Sequence, residues 1–369
     1  MSAETHQEGG RSFASINAYA APVLALLAFA TLGHPAITSS PIIYPIAVGI
    51  EAVILMLAVF ATLRHGETVA HWLGEPYGTI VLTMAVTIIE VSIIANLMLD
   101  DTANPELARQ TLFSATMLIC NGLVGLCLVY GALYHREQEL SLRGTNAYLN
   151  VLIAMSVLTL ILPNYVGEPG ASFNAKQLAF AAIAAVGLYC AFLFIQTVRH
   201  PGFFRDGIHH EQNESRPPRK IGLWHLVWLF VSVGSVVAVA ERFSTGLEKA
   251  LTAWGTPDAI LGLVIALLVL LPEALTALIA ARANAIQKSL NIALGSALAS
   301  IGLTIPAIAM VSLLSGRELN LGLGPRDTVL LMLTLMLAIV SFGTGRTNVL
   351  TGFVHLVIFA VYIFFQIVP

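Results

Sequence analysis

Long apolar runs alternate with short polar segments along almost the whole chain. Many of these runs have the length of about 18–25 residues that an α-helix needs to cross a bilayer. The period-two alternation of barrel strands is absent, so the pattern predicts an all-α polytopic membrane protein. We place about 11 transmembrane helices at these positions: 17–35, 42–63, 79–99, 111–133, 147–163, 177–197, 222–241, 258–281, 288–313, 327–344 and 348–368.

The composition agrees with a membrane protein. Of the 369 residues, 57% are hydrophobic and 11% are charged, whereas soluble domains carry about 25% charged residues. The net charge of −3 gives no reason to expect nucleic acid as a partner. We expect the protein to lie in a lipid bilayer. Cys120, Cys127 and Cys190 have no metal-type spacing, and we expect them to be unbridged core residues.

A long polar segment at 198–221 interrupts the apolar pattern, and its composition is typical of a linker. It separates a first five-helix repeat at 41–197 from a second at 222–369, and an extra transmembrane helix at 17–36 follows a polar tail at 1–16. Because five is an odd number of spans, the second repeat would insert upside down. The sequence therefore predicts an inverted repeat, which is common among secondary transporters.

The distribution of basic residues orients this arrangement. With the tail in the cytoplasm, the inside segments hold twice as many lysines and arginines as the outside segments. This is the asymmetry that the positive-inside rule requires. It predicts a cytoplasmic N-terminus, a cytoplasmic linker and a periplasmic C-terminus.

Two glutamates, Glu90 and Glu273, lie deep within apolar runs. A charge at the bilayer centre costs roughly 2.5–3.5 kcal/mol on the insertion scale, and such residues usually serve ions or protons. Each glutamate occupies the second helix of its repeat, so the inverted repeat predicts that the two face each other at similar depth. The alternative is a structural carboxyl group, hydrogen-bonded within the bundle. We expect Glu51 and Glu241 to lie nearer helix ends, within reach of water.

Several polar positions surround the two glutamates in the sequence. Thr87 lies about one helical turn before the first glutamate, on the same face. Ser296 and Ser300 lie on the polar helix that follows the second. Pro272 predicts a kink or break that frees carbonyl oxygens, as in the discontinuous helices of transporters. The alternatives are a simple packing kink and the close packing of small residues between helices.

The chemistry of these groups suits a hard cation. The candidate ligands are carboxylate, hydroxyl and carbonyl oxygens, which favour Ca²⁺ or Na⁺ over Zn²⁺. Two glutamates balance the charge of one Ca²⁺. Two facing carboxylates that lack a cation repel each other and lose hydration, so protons compete for the same site. This mutual exclusion is typical of an antiporter, and we expect no resident cofactor because Ca²⁺, H⁺, Na⁺ or K⁺ would be cargo.

Two histidines lie at helix positions outside this constellation. His225 and His355 could act as proton relays, although packing within the core explains such residues more simply.

Several segments resemble the bacterial ChaA-type calcium/proton antiporters, which belong to the cation/calcium exchanger superfamily. The resemblance covers the chain from about residue 18 to its end. It rests on Arg64-His-Gly-Glu-Thr-Val-Ala-His-Trp-Leu-Gly-Glu-Pro-Tyr-Gly78, Thr87-Ile-Ile-Glu90-Val-Ser, Leu271-Pro-Glu273-Ala, Ser289-Leu-Asn-Ile-Ala-Leu-Gly-Ser296 and Ser341-Phe-Gly-Thr-Gly-Arg-Thr-Asn-Val-Leu350.

The resemblance implies an inverted repeat and exchange of cations against protons in the bacterial inner membrane. It also implies that Glu90 and Glu273 carry the ion, and it links this branch to sodium or potassium export. The chain departs from the common Gly-Asn-x-x-Glu signature, because it has Val86-Thr-Ile-Ile-Glu90 and Val269-Leu-Leu-Pro-Glu273. The ligand set would therefore differ from that of the wider superfamily.

Together these observations predict a secondary antiporter, and not an enzyme, that exports Ca²⁺ in exchange for protons by alternating access. Glu90 and Glu273 would bind the cation and the protons in turn, with Thr87, Ser296 and Ser300 as supporting ligands. The alternatives are a Na⁺/proton or K⁺/proton antiporter, a Na⁺/Ca²⁺ exchanger and, with less support, a cation channel.

Overall fold

The structure, a computed structural model, describes the chain at residues 18–30, 43–74, 77–99, 106–166, 173–204 and 217–368. The predicted N-terminal tail and residues 205–216 of the predicted linker lie outside these ranges.

The described residues are almost entirely helical, as the apolar pattern predicts. Ten helices in these ranges are long and apolar enough to cross a membrane, and one shorter apolar helix precedes them. In chain order they are α1 (Ala18–Ala30), α2 (Ile43–Leu73), α3 (Tyr77–Leu99), α4 (Leu107–His135), α5 (Leu142–Ile161), α6 (Ala175–Arg199), α7 (Arg219–Ala253), α8 (Asp258–Arg282), α9 (Ile286–Ser315), α10 (Pro325–Phe342) and α11 (Val349–Ile367).

Two helices are longer than the hydropathy pattern predicts. The prediction ended α2 at residue 63 and α7 at residue 241, where polar side chains begin. The helices instead continue to Leu73 and Ala253. Polar residues do not stop a helix, whereas a glycine in the left-handed conformation does. Gly74 and Gly255 have φ values of 70° and 67°, and each follows the observed helix end within two residues.

The described residues fall into two compact units. The first contains α1, α2, most of α3, and α7. Val69, Ala85 and Leu229 form a buried apolar cluster between α2, α3 and α7. Near the start of α7, a Cβ atom on Gly222 would lie 2.2 Å from the Trp72 ring of α2. The two helices can approach this closely because residue 222 has no side chain.

The second unit contains α4–α6, α8–α11 and one small sheet. The strands β1 (Glu137–Glu139) and β2 (Arg346–Asn348) pair antiparallel, with Gln138 opposite Thr347. The buried Gln138 side chain also donates hydrogen bonds to the Ala281 carbonyl and to Asn284 Oδ1. The connections α4–α5, α8–α9 and α10–α11 therefore meet at one end of this unit.

The second unit contains departures from regular α-helix. The turns Leu118–Leu123 of α4 and Ser300–Thr304 of α9 are π-helical, and π-helical turns are frequent at functional sites. They occur in the helix after Glu90 and the helix after Glu273. The prediction at Pro272 was a kink or a break, and a break is wrong, since α8 continues through this residue without interruption.

The three cysteines are free. Cys120 and Cys127 are buried as predicted, but Cys190 is exposed on the surface of α6. The apolar surroundings of Cys190 in the sequence are a property of the whole membrane helix and do not indicate burial within the protein.

Candidate cation site

Glu273 lies near the middle of α8, a membrane-length helix of the second unit. Its side chain is half-buried, and the Ser296 hydroxyl donates a hydrogen bond to Oε2 across 2.9 Å. The structure thus joins one predicted supporting residue to one predicted ion-binding carboxylate. Hydrogen bonds to a charged acceptor are among the stronger ones in proteins.

The α8–α9 hairpin brings these two side chains together. Asn284 has a positive φ of 61° in the short turn between the helices, a conformation that asparagine tolerates better than most residues. The helices then run antiparallel and in contact. Ser296 and Ser300 are both buried, one turn apart on α9, and the π-helical turn begins at Ser300.

Glu90 lies on α3 and belongs to the first unit. Its side chain is half-buried, and Thr87 is buried about one turn earlier on the same face. The structure thus places Glu90 within a membrane-length helix, as predicted. The facing arrangement of the two glutamates stays a prediction.

Pro272 changes the hydrogen bonding of α8 beside Glu273. A proline lacks the backbone N–H that would bond to the carbonyl four residues earlier, which here belongs to Leu268. In addition, the Thr276 hydroxyl donates to the Pro272 carbonyl across 3.0 Å. An unbroken helix can therefore still leave the Leu268 carbonyl without its helical donor.

The surroundings of one acidic residue differ from the prediction. Glu51 was predicted near a helix end within reach of water, but it is buried and pairs with Arg242 across 2.7 Å. Arg242 follows the predicted helix 222–241 directly and lies within α7, which continues to Ala253. The missed signal is an acid within the predicted helix 42–63 and a base directly after the predicted helix 222–241.

The first unit also contains a histidine pair that the sequence did not predict. His65 Nδ1 and His225 Nδ1 are 2.9 Å apart, and His65 Nε2 donates to the Ala18 carbonyl across 3.0 Å. Trp228 stacks on the His65 ring. The pair joins α1, α2 and α7, so packing accounts for His225 as expected.

In the second unit, His355 is fully buried between α4, α10 and α11. Its Nδ1 atom is 3.2 Å from Asn121 Oδ1, and its Nε2 atom is 3.1 Å from Ser341 Oγ. The Phe342 ring stacks beside it. Spacing along the sequence could not predict this cluster, because its members come from three separate helices.

Comparison with known proteins agrees with this architecture. The sodium/calcium exchanger protein family model matches residues 43–198 and 224–368. The putative ionic transporter y4hA of Sinorhizobium fredii is 42% identical over 93% of this chain and 94% of its own length. The sodium-potassium/proton antiporter ChaA of Escherichia coli is 36% identical over 93% of both chains. The structure of native YfkE superposes with a TM-score of 0.74 at 17% identity, covering 96% of this chain and all of YfkE.

Proposed function

The chain belongs to the sodium/calcium exchanger protein family, and from this premise we propose that it is a cation/proton antiporter whose cargo binds at Glu90 and Glu273. One observation carries the assignment of the site. The Glu273 carboxyl group lies in the middle of a membrane-length helix with the Ser296 hydroxyl as donor. A carboxylate at this depth is costly unless an ion or a proton neutralises it.

The same cost explains why the cation and the protons exclude each other. A cation at the carboxylates removes the reason for protonation, and protons remove the charge that binds the cation. With Ca²⁺ as cargo, the site is neutral in both loaded states and charged only when empty. The protein with an empty, charged site is therefore least able to change the side of the membrane to which the site opens. This couples the cation flux to the proton flux.

We propose Ca²⁺ as the leading cargo. Ca²⁺ takes about 6–8 oxygen ligands, and carboxylates at Glu90 and Glu273 would balance its charge. Hydroxyl groups of Thr87, Ser296 and Ser300 are the candidates for further ligands. This set is made of oxygen alone, which suits a hard cation.

Na⁺ or K⁺ is the second candidate. It is favoured by the likeness to the Escherichia coli sodium-potassium/proton antiporter, which covers nearly the whole chain. A monovalent ion would leave one carboxylate charge to be balanced by a proton or a second cation, so the two candidates differ in stoichiometry.

We propose that the protein lies in the bacterial inner membrane with the β1–β2 end of the second unit in the cytoplasm. Exposed basic residues collect at that end, namely Arg136, Arg143, Arg282, Lys288 and Arg346, against the acidic Glu137 and Glu139. An excess of lysine and arginine marks cytoplasmic connections. The C-terminus, at the far end of α11, would then be periplasmic, and the N-terminus cytoplasmic.

The experiment is proton release from proteoliposomes that contain the purified protein and an internal pH dye. Ca²⁺, Na⁺ and K⁺ are added in turn at several pH values. We expect Glu90→Gln and Glu273→Gln each to lower the cation-dependent proton flux at least tenfold. Glu241→Gln, a glutamate exposed on α7, is the matched control and should behave like the wild type.

Two results would contradict the proposal. Wild-type rates in both glutamine variants would remove these carboxylates from the mechanism. A cation flux that is indifferent to the pH gradient would indicate a channel instead of an antiporter.

A further inference from the structure

Three helices of the second unit carry polar side chains on the faces that meet. On α10 these residues recur at every seventh position, and on α4 and α11 at intervals of four and seven, so each set lies on one helical face. We call the set the polar seam: Gln110, Ser114 and Asn121 of α4, Asp327, Thr334 and Ser341 of α10, and His355, Tyr362 and Gln366 of α11.

Direct contacts connect the members of the polar seam across the helices. The Ser114 and Tyr362 hydroxyl oxygens are 2.6 Å apart, and Asn121 Nδ2 donates to Thr334 Oγ1 across 2.9 Å. His355 completes the chain through Asn121 and Ser341. The polar seam thus has two hydrogen-bonded parts, the Ser114–Tyr362 pair and the group around His355.

A cavity of about 160 Å³ lies at the Gln366 end of the polar seam. Its walls include the ion pairs Glu106–Arg109 and Arg326–Asp327. Gln366 lines it with only 5% of its surface exposed. Buried polar groups beside a cavity of this size are the usual partners of bound water. Water can therefore approach the Ser114–Tyr362 pair from this end.

The hydrogen-bond network fixes which His355 nitrogen carries a hydrogen atom. The Thr334 hydroxyl donates to the Leu330 carbonyl across 2.8 Å, so its oxygen accepts from Asn121 Nδ2. The amide oxygen of Asn121 then faces the ring. An amide oxygen can only accept, and His355 Nδ1 must donate to it.

The other ring nitrogen has a partner that serves both charge states. In the neutral ring, Nε2 accepts a hydrogen bond from Ser341. When Nε2 is protonated, it donates to the same oxygen, because a hydroxyl group can donate or accept. A histidine with a purely structural role needs partners for its neutral form only. Here the charged form keeps a partner for every N–H group as well.

We propose that His355 is a proton-carrying residue of the exchange cycle, which takes up and releases its proton at Nε2 through Ser341. The inference rests on the proposed cation/proton antiport. In the uptake step the Nε2 lone pair forms an N–H bond, and the ring changes from neutral to a single positive charge. At Ser341 the O–H bond that points to Nε2 breaks as this N–H bond forms, and the serine oxygen forms a new O–H bond with the incoming proton. Release reverses these steps.

The groups around the ring are neutral in the contacts described. They are the Asn121 amide, the Ser341 hydroxyl, the stacked Phe342 ring and the backbone of Cys120. Cys120 is the titratable residue among them, and its thiol is buried. A proton on His355 therefore places a new charge in these surroundings.

Among the described residues, no hydrogen bond joins the Ser114–Tyr362 pair at the cavity to the group around His355. The Met117 sulfur contacts the His355 group, at 3.7 Å from Asn121 Nδ2 and 3.6 Å from Thr334 Oγ1, and Met117 lies between Ser114 and Asn121 along α4. The described hydrogen bonds thus link His355 to Ser341 and do not continue to the Ser114–Tyr362 pair at the opposite end. Access from one side at a time is what alternating access requires.

Helix α4 contacts both α11, which carries His355, and α8, which carries Glu273. On one side it packs tightly on α11, where a Cβ atom on Gly352 would lie 2.9 Å from the Gly125 carbonyl oxygen. On the other side it packs on α8, where a Cβ atom on Gly262 would lie 3.0 Å from the Thr111 backbone. A shift of α4 caused by the charge on His355 would therefore reach the helix that carries Glu273.

The test compares two fluxes in proteoliposomes. One is uptake of labelled Ca²⁺, or of labelled Na⁺ if Na⁺ is the ion that releases protons, driven by a pH gradient. The other is exchange of the labelled ion for the same unlabelled ion without a gradient, which moves no net protons. We expect His355→Gln to lower the first flux at least tenfold and to leave the second within twofold of the wild type.

Two further variants sharpen the comparison. Ser341→Ala keeps the ring but removes the partner of Nε2, and we expect a selective loss of about threefold in the proton-driven flux. His135→Gln is the matched control on α4, where the ring contacts the Arg282 carbonyl and the Tyr134 ring, and both fluxes should be unchanged. If His355→Gln cannot be purified in folded form, Ser341→Ala decides the question.

Three results would overturn the inference about His355. The His355→Gln variant could lower neither flux, or it could lower both in equal proportion, as a purely structural residue would. If Ser341→Ala is the deciding variant, an equal effect on both fluxes would likewise overturn the inference. A wild-type protein without cation-dependent proton movement would instead refute the proposed function, so the two failures are distinguishable.

Discussion

Arg242 of α7 and Glu51 of α2 form an ion pair within the first unit, with Nε donating to Oε1 across 2.7 Å. Both residues are only 7% exposed, and the guanidinium group also reaches the Ala28 carbonyl of α1. The pair joins three helices at a place where neither charge has access to bulk water.

We expect removal of one partner of this pair to destabilise the protein strongly. Glu51→Gln would leave a buried guanidinium group without its counter-charge, at a cost of about 3–5 kcal/mol. The measurement is the thermal unfolding midpoint of the purified protein in detergent. Glu241→Gln, one residue from Arg242 but exposed, should leave the midpoint unchanged.

The double variant Glu51→Gln, Arg242→Gln supplies the second test of this pair. Two neutral amides can bond to each other and leave no uncompensated charge, so the double variant should be more stable than Glu51→Gln alone. A midpoint for Glu51→Gln that equals the wild type would contradict the burial of the pair.

The hydrogen bond from Ser296 to Glu273 predicts an effect on ion affinity. In the Ser296→Ala variant, the Glu273 carboxylate lacks this donor and is less well oriented. We expect the cation concentration for half-maximal exchange to rise about tenfold, equal to about 1.4 kcal/mol. The maximal rate should change less. Ser156→Ala is the control, because this serine of α5 is buried and makes no hydrogen bond through its hydroxyl group.

The close approach of α2 and α7 predicts a steric effect at one glycine. Gly222→Ala would place a Cβ atom against the Trp72 ring, and overpacking of this kind costs about 1–3 kcal/mol. Gly234→Ala on the same helix meets no atom within 4 Å. Since alanine favours helix over glycine, that control should be neutral or stabilising, and an equal loss in both variants would contradict the packing.

The sheet at the end of the second unit predicts that two neighbouring residues contribute unequally to stability. Gln138→Ala would remove the donor to the Ala281 carbonyl and Asn284, and the loss of partners for buried groups costs about 1–3 kcal/mol. Glu139→Ala removes an exposed pair with Arg346, which is worth at most about 1 kcal/mol. The unfolding midpoint should therefore fall more for Gln138→Ala, and the reverse order would contradict this account.

Hydropathy predicted the class of fold because the bilayer acts on each helix separately. A run of apolar residues has to span the hydrocarbon core whatever its neighbours are. The same local cost singled out Glu90 and Glu273, since a carboxylate is expensive at that depth in any helix. Helix ends were predicted less well, because Gly74 and Gly255 ended α2 and α7 where polarity did not.

The sequence by itself determined the membrane class, the helical content, the two candidate carboxylates and the likeness to the exchanger family, all of which depend on local composition and short motifs. Tertiary structure alone decided that Ser296 bonds to Glu273, that Arg242 neutralises Glu51, and that His355 meets Asn121 and Ser341. These contacts join residues on different helices, up to 234 positions apart. Their pairing depends on how helices rotate and pack, because a buried polar group is stable only where another helix offers it a partner.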